Sequence, residues 1–263
     1  MQLKIFIIDA FTSKQFKGNS AAVVPLKEWI EIDLMQKIAF ENNLSETAFI
    51  KEIKKNSYEI RWFSPLSEVD FCGHATLASS FVLFNYFDCK EEIIFLTQKV
   101  GSISVIQLDN KKIQMSFPNQ APKPVDKIPE ALTKGLSIKP EKVLINRQAY
   151  VIILNSEDEV KSISYNTQEL KKLAPYDVVV TAKGKEYDFI SRYFWPSNGG
   201  IEDPVTGSIH SCLAPYWADK LSKQNLIAYQ ASTRGGILEC SIKEDKVLVS
   251  GDAVLYLKGK IFI

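Results

Sequence analysis

The sequence predicts an α+β protein of two similar lobes, each a mostly antiparallel sheet wrapped around one apolar helix. Three observations carry this expectation. A glycine-opened helical stretch occurs twice, as Phe71-Cys72-Gly73-His74-Ala75-Thr76-Leu77-Ala78 and as Glu202-Asp203-Pro204-Val205-Thr206-Gly207-Ser208-Ile209-His210, the second running into Cys212-Leu213-Ala214-Pro215-Tyr216-Trp217-Ala218. The chain also repeats at a fixed shift, the mark of a duplicated unit. Gly73 recurs as Gly207 (207 − 73 = 134), and Gly101/Gly235, Lys112/Lys246, Ser116/Ser250, Ile93/Ile227, Ile103/Ile237 and Met115/Val249 keep the same step. Upstream the step is 192 − 61 = 131, where Arg61-Trp62-Phe63-Ser64-Pro65 matches Arg192-Tyr193-Phe194-Trp195-Pro196, so the extra residues fall in the segment 197–200. Finally, short β-branched or alternating segments bounded by turn residues surround each helix.

Taken in order, residues 3–9 are apolar and β-branched, a first strand, and 12–20 are a polar loop. Residues 21–24 form a short strand closed by Pro25. Asp33 reads as the N-cap of a helix whose inner face is Leu34 and Ile38, ending near Asn42-Asn43. Residues 45–51 and 58–63 are a strand pair turning at Lys54-Lys55-Asn56. Residues 75–86 are apolar on nearly every side and predict a buried helix. Two β segments follow, 93–96 and 103–115, the latter folded back at Asp109-Asn110. The proline-rich stretch 119–130 is a linker, between an N-terminal lobe at 1–118 and a C-terminal lobe at 131–263, with the final strand free to return to the first lobe. In the second lobe, 149–154, 178–181 and 189–194 read as strands, the helix follows Ser208, and 237–242 with 246–256 form the last hairpin.

Composition narrows the function. The 263 residues suffice for one large or two smaller cores. A net charge of +1 gives no basic footprint for nucleic acid. No run is long enough for a membrane span, and residues 1–9 are charged too soon for a signal peptide. Cys72, Cys89, Cys212 and Cys240 show neither metal nor disulfide spacing, which suits a reducing, cytoplasmic setting. With only His74 and His210, a histidine-rich metal site is not expected.

The chemistry-bearing residues cluster at the two glycine turns. A polar loop feeding a helix through glycine aims free backbone N–H groups at an anion. Arranged about a pseudo-twofold axis, Gly73-His74 and Gly207-Ser208 would bring two helix N-termini to one cleft, suited to a carboxylate or a developing enolate. The plainer reading is that both glycines only permit close helix–sheet contact. Glu46 starts an otherwise apolar strand, and the 131 step places Asp177 at its counterpart (46 + 131 = 177). An acid there is either a surface strand end or a group with a partner and a task. Asp203 is the other acid candidate, or part of a solvated turn. His74 reads as facing ligand or loop, and Asn19 after Gly18 as a substrate donor or a left-handed turn residue.

Gly18-Asn19, Ser45-Glu46-Thr47-Ala48, Arg61-Trp62-Phe63-Ser64-Pro65, Gly73-His74-Ala75-Thr76 and Glu202-Asp203-Pro204-Val205-Thr206-Gly207-Ser208 together resemble the PhzF family, the phenazine-biosynthesis-like group of the diaminopimelate-epimerase superfamily. The resemblance spans the chain in order. It implies two pseudo-symmetric barrel-like lobes and a cofactor-free isomerase that moves a proton on a small carboxylate-bearing substrate in the inter-lobe cleft. It further implies Glu46 as the general acid/base, His74, Asp203 and Ser208 as groups that hold or polarise substrate, and Gly73 and Gly207 as carboxylate-binding N–H donors. A homodimer is an allowed assembly, and no metal is implied. The sister branch uses a thiol before the glycine in each half. Here Cys72 precedes Gly73 but Thr206 precedes Gly207, and a threonine hydroxyl is a poor base near neutral pH. Cys72 therefore reads as a small packing residue. Two alternatives stay open: a racemase using Cys72 with Asp203 or Thr206, and a non-enzymatic ligand-binding protein.

Overall fold

The computed structural model describes residues 1–198 and 200–263; Gly199, in the inserted segment 197–200, lies outside the described residues. The chain divides into two compact units, Met1–Ser116 with Ser250–Ile263, and Phe117–Val249.

In chain order the first stretch contains β1 (Gln2–Ala10), β2 (Asn19–Leu26), α1 (Ile32–Asn42), β3 (Glu46–Lys54), β4 (Ser57–Phe63), β5 (Glu68–Val69), α2 (Gly73–Tyr86), β6 (Ile93–Leu96), β7 (Ser102–Gln107) and β8 (Ile113–Pro118). The second contains β9 (Lys123–Pro124), α3 (Glu130–Gly135), β10 (Lys142–Ile145), β11 (Ala149–Ile153), α4 (Glu157–Ser162), α5 (Thr167–Leu170), β12 (Asp177–Lys183), β13 (Phe189–Phe194), β14 (Glu202–Asp203), α6 (His210–Leu221), β15 (Asn225–Gln230), β16 (Gly236–Lys243) and β17 (Lys246–Gly251). The last strand, β18 (Ala253–Phe262), pairs antiparallel with β1 from Gln2↔Phe262 to Ala10↔Ala253.

In the first unit, strand alternation sorts residues to two faces. Ala22, Val24, Phe49 and Phe63 pack with Met35 and Ile38 of α1. Residues of the other parity, Glu46, Ala48 and Trp62, take the opposite face, where α2 lies against β1, β2 and β3. The apolar composition of α2 has the expected result: its first eight residues are all buried. The hydroxyls inside it are satisfied by bonding back one turn, Thr76 Oγ1 to the Cys72 carbonyl and Ser79 Oγ to the Ala75 carbonyl.

The second unit repeats this register. The parallel pair β2–β3 has Ala21 opposite Glu46, and the parallel pair β11–β12 has Ala149 opposite Asp177. In the antiparallel pair β3–β4 Ala48 faces Trp62, and in β12–β13 Val179 faces Tyr193. The short strand β5 pairs with Trp62 and Phe63, as β14 pairs with Tyr193 and Phe194. Each unit then has a helix and a parallel return strand, β6 on β4 and β15 on β13. One face of β10–β13 is covered by α3, α4 and α5 through Leu132, Val160, Leu170, Val178, Val180 and Phe194. On the other face Trp217 Nε1 of α6 donates to Thr181 Oγ1 at 3.0 Å.

The structure corrects several local expectations. The N-cap of α1 is Glu31, not Asp33, which sits in the first turn, where a negative charge still suits the helix dipole. Pro25 lies inside β2 rather than closing it. The pairing with β1 ends at Val23, so β2 is an edge on that side where proline has no donor to offer. The strand expected at 246–256 is broken at Asp252 into β17 and β18. The helices α3, α4 and α5 were not read from the sequence, because each is too short to show a 3.6-residue period. Their caps are nonetheless there: Ser156 accepts from the Glu159 N–H, and Asn166 from the Gln168 and Glu169 N–H groups. Among the described residues no helix is long and apolar enough to cross a membrane.

Candidate active site

In the first unit, three segments place their side chains together. Glu46 is the first residue of β3, on the α2 side of the sheet. His74 is the second residue of α2, which is capped by Cys72 and opened by Gly73. Asn19 begins β2, after Gly18 at φ 63. Glycine is required there, since a Cβ would lie 2.1 Å from the Ala10 carbonyl oxygen. Glu46 and His74 are 6% and 4% exposed. Glu46 Oε2 lies 3.0 Å from His74 Nε2. Asn19 Nδ2 lies 3.1 Å from His74 Nδ1, and Cys72 Sγ 3.3 Å from the same nitrogen. The short Glu46–His74 distance is not a formed hydrogen bond: among the described residues Oε2 accepts none. The carboxylate oxygen is held close to the imidazole with its lone pair uncommitted. A buried oxygen of that kind either pays a desolvation penalty for nothing or takes part in chemistry.

The second unit repeats the strand register with different side chains. Asp177 stands where Glu46 stands, but Tyr193 Oη donates to Asp177 Oδ2 at 2.7 Å. Gln148 Nε2 donates in turn to Tyr193 Oη at 2.8 Å and to Ser208 Oγ at 3.0 Å. Burial and the Asp177 charge push the Tyr193 phenol well above its usual range, so it stays a neutral donor and keeps Asp177 occupied. The first unit has Trp62 in that register position, and its Nε1–H finds no acceptor among the described residues. Glu46 is therefore left open where Asp177 is closed.

The 202–208 segment is latched from within its own unit. Thr206 Oγ1 donates to Asp203 Oδ2. Gln230, fully buried, donates from Nε2 to the Asp203 carbonyl at 2.8 Å and accepts the Thr206 N–H on Oε1 at 2.9 Å. Glu202 takes both Arg192 Nε and Nη2 at 2.8 Å. The adjacent acids thus divide their work: Glu202 anchors the segment and Asp203 is presented by it. Gly207 and Ser208 do not open α6 directly, as the sequence reading had it. They form a tight turn, with His210 N–H bonding to the Gly207 carbonyl at 3.2 Å and Ser211 N–H to that of Ser208 at 3.1 Å, and α6 begins at His210. Gly207 is buried and Ser208 half-buried.

Sequence reasoning named Glu46, His74, Asn19, Asp203, Ser208, Gly73 and Gly207 as candidates; the structure brings Glu46, His74 and Asn19 together in the first unit and places Asp203, Gly207 and Ser208 on one segment of the second. It missed Gln148, Tyr193 and Gln230, whose partners are distant in sequence. It also missed that Glu46, Cys72 and His74 converge.

His210 gives a prediction of its own. It is fully buried, its Nδ1–H donates to the Thr206 carbonyl at 2.9 Å, and burial depresses its pKa to about 4. In the unfolded chain its value is about 6.5. Above that pH both states are neutral and the stability is fully present. As pH falls from about 6.5 to about 4 the unfolded state takes up the proton first, and stability on the order of 3 kcal/mol is lost. Urea unfolding of wild type and His210→Gln across this window should show the loss in wild type beyond any in the variant; parallel curves would refute it.

The family model of phenazine biosynthesis-like proteins, PhzC-PhzF, matches residues 8–259. An uncharacterized isomerase of Pseudomonas aeruginosa is 41% identical over 263 residues, covering 100% of this chain and of that one. The crystal structure of a PhzF-family phenazine biosynthesis protein from Enterococcus faecalis matches with a TM-score of 0.94 at 41% identity, over 100% of each chain. A hydroxyproline epimerase from Agrobacterium vitis, with trans-4-hydroxy-L-proline bound, shares the fold alone, at a TM-score of 0.65 and 8% identity over 99% of this chain and 92% of that one.

Proposed function

Because the chain belongs to the phenazine biosynthesis-like PhzC–PhzF family, we propose that it is an isomerase that moves a proton on a small carboxylate-bearing substrate, through Glu46 and without a cofactor. The observation that carries this reading is the buried Glu46 oxygen beside His74, uncommitted while its counterpart Asp177 is held by Tyr193. One carboxylate that takes a proton from one carbon and returns it to another needs no second base. In this reading His74 donates to the substrate or to the returning carboxylic acid, and Asn19 fixes its ring. The Gly73 turn supplies N–H groups to the substrate carboxylate, and Asp203, Gly207 and Ser208 are the further candidates to replace one at a time. The repeated strand register supports reading the chain as an internal duplication.

A two-base racemase fits less well. Thr206 stands where the second thiol would be, and its hydroxyl proton is already given to Asp203. Replacing Cys72 with alanine should therefore reduce turnover by less than a hundredfold. A loss of a hundredfold or more, about 2.7 kcal/mol, would restore the racemase reading.

The function itself is tested by incubating the protein in D₂O with a panel of unsaturated and cyclic small carboxylic acids, followed by NMR and absorbance. The expected result is deuterium at the receiving carbon of one substrate, or its double bond displaced. A panel that includes amino acids and yields only inversion at the α-carbon would point to the racemase instead.

A further inference from the structure

Cys72 has no task in the proton transfer proposed above, yet its sulfur sits among the groups that perform it. It is 7% exposed and caps α2. Its Sγ lies 3.3 Å from His74 Nδ1 and 4.0 Å from His74 Nε2, while Nε2 lies 3.0 Å from Glu46 Oε2. One sulfur, one imidazole nitrogen and one carboxylate oxygen thus lie within 4.8 Å of one another, all on buried residues. We propose that Glu46, Cys72 and His74 form a binding site for a thiophilic divalent cation of the zinc type, and that its occupation shuts off proton transfer.

The donor set favours this cation class. Zinc binds sulfur at about 2.3 Å and nitrogen or oxygen at about 2.0–2.2 Å, which in a tetrahedron puts neighbouring donors roughly 3.3–3.6 Å apart. The observed separations of 3.0 and 4.0 Å lie on either side of that range. A sulfur ligand disfavours magnesium and calcium, which require oxygen. Three protein ligands leave a fourth position for water or a substrate carboxylate. Coordination through Nε2 puts the ring proton on Nδ1, where Asn19 can accept it on Oδ1 once its amide turns over. The Cys72 thiol gives up its proton to solvent on binding.

The second unit acts as an internal control. Its matching positions hold Asp177, Thr206 and Ser208, with one metal-binding side chain type in place of three. The repeated backbone therefore does not produce the cluster; the side chains of the first unit do. A cation on Glu46 would occupy the lone pair that accepts the substrate proton. Only this inhibitory consequence rests on the proposed function; the binding site does not.

The test is titration of the full chain with Co²⁺, read by the thiolate-to-cobalt absorption band, followed by displacement with Zn²⁺. Wild type should show the band with one cobalt per chain and lose it to Zn²⁺. Cys72→Ser and Cys72→Ala should both lack the band and bind Zn²⁺ at least tenfold more weakly, with far-ultraviolet circular dichroism confirming that they fold. Absence of the band in wild type, or Zn²⁺ affinity within tenfold of wild type in a folded Cys72 variant, overturns the site. Zn²⁺ bound at this site without any loss of turnover overturns the inhibitory half of the proposal and counts against Glu46 as the base, while the binding site stands.

Discussion

Glu46→Gln loses at least a hundredfold in turnover while binding substrate nearly as wild type does, and it no longer exchanges substrate hydrogen with solvent deuterium. The amide keeps the size of the side chain and its place at the start of β3 but cannot take up a proton near neutral pH. General acid–base groups typically supply about 10²–10⁴-fold in rate, so the loss should fall in that range with KM little changed. The local geometry makes this a clean substitution. Oε2 accepts no hydrogen bond among the described residues, so at that atom no hydrogen bond is lost with the charge, and a small change in thermal midpoint is expected. Exchange is followed by NMR in D₂O. If the variant still exchanges at the wild-type rate, the proton passes through another residue, and Asp203 is the first to replace.

Glu202→Ala destabilises the protein by about 3 kcal/mol or more, and Glu68→Ala by clearly less. Both acids bind an arginine through two oxygens: Glu202 with Arg192 at 2.8 Å, Glu68 with Arg61 at 2.7 Å. Their surroundings differ. The Glu202 and Arg192 side chains are 16% and 14% exposed, whereas the Glu68 side chain is 34% exposed. Removing one member of a buried ion pair leaves the other charge without compensation, at a cost of about 3–5 kcal/mol. Among the described residues Arg192 keeps carbonyl partners, such as that of Ile163 at 2.8 Å, and the face of the Phe194 ring, none of which neutralises it. Arg61, at 10%, is no more exposed than Arg192; it is the Glu68 carboxylate that is already screened by solvent, so its pairing contributes less and its loss costs less. Urea unfolding of the two variants measures the difference, and equal losses would show that burial does not separate the pairs. The Glu202 variant should also lose activity, because β14 consists of Glu202 and Asp203 alone and the clamp holds Asp203 in place.

The architecture was legible because similar residues recur at a fixed step along the chain. The step of 131 makes Asp177 the counterpart of Glu46, and the registers Ala21↔Glu46 and Ala149↔Asp177 agree with it. The paired arginine blocks were visible as a repeat, but not as ion pairs, because Glu68 and Glu202 follow at unequal distances. Local structure was legible where it depends on neighbours in sequence, as with the helix that opens at Gly73. It was hidden where it depends on tertiary partners. Nothing around Tyr193 says that its hydroxyl closes off Asp177, and nothing around Gln230 says that it latches Asp203 and Thr206. Propensity favours Asp33 as a cap, whereas the chain enters the helix two residues earlier, at Glu31.

The pairing of β1 with β18 inverts the order in which the protein can be completed during synthesis. Residues 117–249 leave the ribosome as one contiguous compact unit and can fold at once, as domains generally do. The first unit emerges earlier but lacks the ten-residue strand at Ala253–Phe262 that covers β1. Until that strand arrives, the outer edge of β1 offers unpaired backbone groups to any neighbouring chain. The half of the molecule that carries Glu46 is thus begun first and finished last, and a stalled or truncated nascent chain would expose that half while the other is already closed.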